Sequence, residues 1–137
     1  LHISLSFLGE IAENRINDIS KKLDEICSRY QSFEASVSTI KLIPNENFIR
    51  VLALDVSGGT PKMLGRDIEH DIGGDAKPPH LTLCRVKNIK DKQKTVEDIK
   101  SIDFNVGSFK VSSVCLIQSI LQKPGPIYTV LHESRLS

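Results

Sequence analysis

Apolar and polar positions divide the chain into short elements of two kinds. Residues 2–8 (HISLSFL) are nearly continuous in apolar character and read as a strand. Over 14–30, Ile16, Ile19, Leu23, Ile26, Cys27 and Tyr30 recur at helical spacing, opposite Lys21, Lys22, Asp24, Glu25 and Arg29, which predicts an amphipathic helix. A strand is expected over 33–43, broken by Pro44-Asn45, and another over 48–56 (FIRVLALDV), ended by Gly58-Gly59. Thr60-Pro61 reads as a cap with Pro at the first helical position, opening a helix that carries Met63, Leu64, Ile68 and Ile72 and stops at Gly73-Gly74. Pro78-Pro79 leads into a strand over 80–86 (HLTLCRV), and a short helix follows near 91–101. Strands over 104–112, 113–120 and 127–133 close the chain, the last two separated by Lys123-Pro124-Gly125-Pro126. The order β-α-β-β-α-β-α-β-β-β predicts an α+β fold with several antiparallel neighbours.

The order contains an internal repeat. With His2 set on His80, HISLSFL faces HLTLCRV, a helix follows in each copy, and Ser32-Phe33 faces Ser108-Phe109. A proline break comes next in both, and IRVLALD (49–55) then faces IYTVLHE (127–133). Five matches in one order point to duplication of a supersecondary unit, with copies at about 2–57 and 80–134 of one domain spanning 1–137. The second histidine strand has a strand and a helix ahead of it, whereas one residue precedes His2. The repeat therefore predicts a further strand and helix ahead of Leu1, with the His2 strand paired to that strand.

The repeat also sets two motifs in register, His2-Ile3-Ser4-Leu5 and His80-Leu81-Thr82-Leu83. Residues i and i+2 of a strand share a face, so each histidine lies beside a hydroxyl. If a pseudo-twofold relates the copies, two imidazoles and two hydroxyls meet around one cleft. This set suits phosphoryl chemistry. One neutral imidazole takes a proton from water, one imidazolium protonates the leaving oxygen, and the hydroxyls hold non-bridging oxygens. A lone H-x-[ST] strand is ordinary, and a single histidine on it is usually a core residue; the paired occurrence argues for function. A zinc site lacks a third ligand, and a Ser4-His2 nucleophile has no orienting acid. Sequence symmetry leaves open which histidine is acid and which is base.

Composition narrows the classes. The chain of 137 residues has 39% apolar and 26% charged residues, an ordinary globular balance. No apolar run reaches the roughly 18 residues of a membrane helix, and no signal peptide is evident at the start. With 18 basic against 17 acidic residues, binding to nucleic acid by charge alone is disfavoured, while one phosphate at one site remains compatible. Cys27, Cys84 and Cys115 are scattered, without C-x-x-C, and read as small apolar side chains in a reducing cytoplasm. With five Phe, two Tyr and no Trp, a broad base-stacking platform is not expected. His70 reads as a solvated residue at a helix end, His132 as structural or exposed, and Phe7 as core. Lys87, Lys90, Lys92 and Lys94 form a basic cluster that reads as a solvated face.

HISLSFLGE and PHLTLCRVK resemble the two signature motifs of the two-histidine (2H) phosphoesterases, on the branch of the LigT-like RNA 2′,3′-cyclic phosphodiesterases, also called 2′-5′ RNA ligases. The strand ending in Gly58-Gly59, the proline entry to His80, and Gln118-Ser119 through Gly125-Pro126-Ile127-Tyr128 are similar too. Ser4 stands where this family commonly has Thr, which keeps the hydroxyl. The resemblance implies a bilobal α+β fold of duplicated units, with antiparallel sheets around a central cleft and helices outside. It implies hydrolysis of 2′,3′-cyclic phosphate at RNA 3′ ends, or on nucleotides, to 2′-phosphate, without metal or other cofactor; separately, a monomer is expected. It makes His2 the acid and His80 the base, with Ser4, Thr82 and Arg85 on the phosphate. Arg85 lies at an odd offset from His80 and needs a β-bulge to share its face. The competing expectations are 2′-5′ ligation through the reverse reaction and an inactive module that binds RNA ends.

Overall fold

The computed structural model describes residues 2–45, 47–86, 89–101 and 107–137. In chain order the elements are β1 (Ile3–Phe7), α1 (Ile16–Ser28), β2 (Phe33–Asn45), β3 (Phe48–Ser57), α2 (Gly59–Asp71) and β4 (Asp75–Arg85). They continue with α3 (Lys92–Ser101), β5 (Gly107–Val111), β6 (Ser113–Ile120) and β7 (Ile127–Arg135). The α+β order is the one expected, and the strand pairings described are antiparallel.

Several boundaries differ from expectation for local reasons. β2 runs through Pro44-Asn45, where a break was expected, and the ladder shifts register between Ile43 and Pro44 instead. The turn follows, where the Asn45 side-chain oxygen accepts the backbone N–H groups of Asn47 and Phe48 at 2.9 and 3.0 Å. β4 begins five residues before His80, at Asp75. The chain reaches it through Gly74, at φ +87°, where a Cβ would come within 2.7 Å of the Phe7 carbonyl oxygen. Only glycine fits both that backbone angle and that approach. Of the strand expected over 104–112, residues 104–106 lie outside the described residues, as does Lys87 of the basic cluster.

The larger sheet has the order β1-β4-β3-β2-β5, and β6 and β7 form a separate two-stranded sheet. α2 packs on β1 and β4 of the large sheet, and α1 packs against α2 and the β6–β7 hairpin. The buried face of α1 (Leu23, Ile26, Cys27) meets Leu64 and Ile68 of α2 and Leu136, with Leu5, Leu8 and Phe33 against them. Ala35, Val37, Leu54 and Val56 continue this core, joined by Ile3 and Leu81. Burial of each such side chain contributes about 1.5–3 kcal/mol. Polar contacts pin the two helices together at one end. The Tyr30 hydroxyl donates to Asp67, and Arg29 pairs with Asp71 at 3.0 Å. Burial, and then the Asp67 carboxylate, push the Tyr30 hydroxyl up to about 12.

Some side chains depart from expectation. Phe7 is 57% exposed rather than in the core, because it ends a strand at the end of the sheet order. Cys27 is buried as expected, while Cys115 is exposed; the Cys84 side chain lies outside the described residues. His70 is solvated as expected, with its imidazolium favoured first by a hydrogen bond to Asp71.

The β6–β7 hairpin is held to the body at its base. Ser137 N–H donates to the Tyr30 carbonyl and Ser32 N–H to the Ser137 carbonyl, at 3.0 and 2.9 Å. Above them, one Asp24 carboxylate oxygen on α1 accepts Ser134 Oγ–H at 2.6 Å and His132 Nε2–H at 2.7 Å. His132 is thus structural. Ser134 is only 1% exposed, so its hydroxyl depends on that acceptor.

Replacement Asp24→Ala leaves the Ser134 donor unpaired and is expected to lower stability by about 1–3 kcal/mol at neutral pH. The Ser134 hydrogen bond, and then that of His132, hold the Asp24 carboxyl below its ordinary value of 3.8. A depressed carboxyl stabilises the fold above its unfolded pKa and loses that contribution as pH falls through the folded value. Urea midpoints of both proteins between pH 7 and pH 3 should therefore differ most at neutral pH and converge in acid. Equal midpoints at pH 7 would dismiss the clamp.

Candidate active site

The alternation of HISL and HLTL decides which side chains face away from the helices. Ile3, Leu5 and Leu81 pack into the core. The intervening His2, Ser4, His80 and Thr82 therefore point to the other face of the sheet. β1 and β4 are antiparallel neighbours, with Ser4 directly opposite His80 and Ile3 opposite Leu81. Continued one step, that register sets His2 opposite Thr82. The four side chains thus form a two-by-two patch with the histidines on one diagonal and the hydroxyls on the other. Diagonal neighbours in an antiparallel pair lie about 7–8 Å apart, a span that admits a phosphate group between two imidazoles. The sequence-predicted His2, Ser4, His80 and Thr82 are brought together. They meet because β1 and β4 are hydrogen-bonded neighbours in one sheet.

The prolines before His80 shape this patch. Pro78 and Pro79 supply no N–H to the ladder, and the β1–β4 register jumps there from Ser4↔His80 to Ser6↔Ala76. The Pro78 carbonyl lies 2.9 Å from His80 Nδ1. A carbonyl only accepts, so Nδ1 carries the proton and the neutral ring keeps its lone pair on Nε2. His80 and Thr82 are half-buried, as is Ser4, while His2 is exposed.

β3 flanks β4 on its other side and places Asp55 opposite His80 and the buried Ala53 opposite Thr82. Asp55 was not singled out from the sequence, although an acidic residue inside the apolar run VLALDV was a readable signal. The β3–β4 ladder shifts register between Leu52 and Ala53, opposite Cys84 and Thr82. Such an irregularity is what Arg85 needs to share the face of His80. Its backbone pairs with Val51, and its side chain lies outside the described residues. Tyr128 of β7, named in the sequence only as part of a similar segment and given no role, also lies at the patch. Its ring centroid lies 5.7 Å from that of the His2 imidazole, with the planes at 69°.

The antiparallel α+β scaffold thus sets two H-x-[ST] strands side by side, with two histidines and two hydroxyls on one face. The profile of the family described as LigT like Phosphoesterase matches residues 1–53 and 67–128, and the chain belongs to that family. The chain is 33% identical over 144 residues to the RNA 2′,3′-cyclic phosphodiesterase of Methanothermobacter thermautotrophicus, with 99% of this chain and 78% of that protein covered. It is 32% identical to the protein of the same name from Aeropyrum pernix, covering 96% and 80%. Its fold is similar to the crystal structure of TT0787 of Thermus thermophilus, with a TM-score of 0.84 at 23% identity, covering 98% of this chain and 77% of that one. It is also similar to apo E. coli LigT, with a TM-score of 0.75 at 19% identity, covering 99% and 75%.

The Pro78 contact makes the neutral His80 ring the Nδ1–H tautomer. Nitrogen-15 shifts of histidine-labelled protein at alkaline pH should place His80 Nε2 in the unprotonated range. A protonated Nε2 would dismiss this geometry.

Proposed function

We propose that this chain hydrolyses the 2′,3′-cyclic phosphate of RNA 3′ ends to a 2′-phosphate. The observation that carries the reading is the pairing of Ser4 with His80, which joins both motifs into one patch. The shared name of relatives matched over nearly all of this chain supports it. In this reading the phosphate lies between the imidazoles, and the Ser4 and Thr82 hydroxyls donate to its non-bridging oxygens. His80 Nε2 takes a proton from water as the water oxygen attacks phosphorus. The bond from phosphorus to the 3′ oxygen breaks, and His2 delivers a proton to that oxygen. The products are a 2′-phosphate and a 3′-hydroxyl. The Nδ1–H anchor on Pro78 supports the assignment of base to His80, because it leaves Nε2 free to accept. Arg85 is assigned to the phosphate rim, where a guanidinium matches the anion.

Protons balance without a metal, so the reading needs none. We infer a cytoplasmic protein, which the free Cys27 and Cys115 support. Among the described residues no helix is long and apolar enough to cross a membrane.

Incubation with nucleoside 2′,3′-cyclic monophosphates in EDTA should yield 2′-monophosphates, read by phosphorus NMR. Recovery of activity only on addition of a divalent ion would overturn the metal-free mechanism. His2→Ala and His80→Ala should each lower kcat by about 10²–10⁴-fold, and the double variant by much less than the product of the two. Near-native rates in either single variant would sink the assignment. Since one imidazole must hold a proton and the other must not, kcat/KM should fall on both sides of an optimum. A profile that rises to a plateau would argue for one titrating group.

A further inference from the structure

We propose that Tyr128 is a positioning residue for His2, its ring holding the imidazole in the orientation that serves proton delivery. The inference rests on the reading of His2 as the general acid. His2 needs support from outside its own strand. It lies one residue before the start of β1, and its side chain is exposed. The partner histidine is fixed differently, by the Pro78 carbonyl within its own strand. The contact described for the His2 imidazole is the Tyr128 ring, at 5.7 Å between centroids and 69° between planes. That geometry falls within the edge-to-face range of aromatic pairs, about 4.5–7 Å.

Tyr128 is placed for this task rather than for the core, since it is 52% exposed. It pairs with Ser119 near the turn end of the β6–β7 hairpin. An isolated two-stranded hairpin is marginally stable, so a ring carried on one is fixed only as well as the hairpin is. The same strand meets that need at His132 and Ser134, both bound to Asp24 of α1. The chain of support runs from α1 through Asp24 to β7, along β7 to Tyr128, and from that ring to His2. The contact is between rings, so phenylalanine should serve in place of tyrosine, while an aliphatic side chain of similar bulk should not.

The test uses the full chain and compares Tyr128→Phe with Tyr128→Leu. Kinetics are measured on nucleoside 2′,3′-cyclic monophosphates, and the His2 ring protons are followed by NMR, assigned by their loss in His2→Gln. Tyr128→Phe should keep kcat and the His2 signals. Tyr128→Leu should lower kcat about tenfold with KM unchanged. It should also move the His2 ring signals as the ring current disappears, leaving those of His80 in place. Thermal melting of both variants guards against a folding defect, and the Phe variant keeps the idea at risk if the Leu variant fails to fold.

Unmoved His2 signals with native kcat in Tyr128→Leu would overturn the proposal. A raised KM at native kcat would also overturn it, making the ring a substrate contact. An equal loss in both variants would assign the role to the hydroxyl. A wild-type chain that does not turn over cyclic phosphates would refute the proposed reaction, while the NMR arm would still decide whether Tyr128 orders His2.

Discussion

The antiparallel register between β1 and β4 is the constraint on which the site depends. With Ser4 opposite His80, the apolar residues Ile3 and Leu81 share the helix-covered face, and all four polar side chains share the other. A slip of one residue would turn the histidines of one strand into the core and leave its leucines in solvent. The burial of Ile3, Leu5 and Leu81 therefore enforces the same register that assembles the chemistry. Packing and the assembly of the four-residue patch thus rest on one alignment.

That alignment was half legible in the sequence. The alternation of HISL and HLTL shows which side chains share a face, and the matching order of elements sets the two motifs in register. Neither feature says that the two strands are hydrogen-bonded neighbours. The β1–β4 pairing joins residues nearly 80 positions apart, and long-range partners leave no local pattern. The same holds for β5 beside β2, which places strands of the two predicted copies in a single sheet. Helices were easier to read, because the spacing of Leu23, Ile26 and Cys27 records their burial directly. Phe7 misled for the opposite reason. Its apolar side chain says nothing of its place at the end of a strand that ends the sheet order.

The proline pair before His80 shows how one local feature serves several levels. In sequence, Pro78-Pro79 reads only as an entry into a strand. In the ladder it removes two donors, and the register with β1 breaks at that point. The bend leaves the Pro78 carbonyl against His80 Nδ1, which selects the tautomer. A backbone restriction intrinsic to proline is thereby converted into a choice of which imidazole nitrogen accepts a proton. The places of Asp55 across from His80 and of Tyr128 beside His2 were not legible in the sequence, because each rests on a neighbour distant in the chain.

The two motifs carry near-identical side chains, so what distinguishes the two histidines is their surroundings. The fold breaks the symmetry at the second contact of each ring. His80 is half-buried and hydrogen-bonded to its own strand, with a carboxylate-bearing residue paired opposite on β3. His2 is exposed and lies against an aromatic ring from another sheet. The first environment directs a lone pair outward along Nε2. The second sets the imidazole against the Tyr128 ring in an edge-to-face arrangement. The difference between the surroundings of the two near-identical motifs therefore follows from what β3, β7 and Pro78 place beside them.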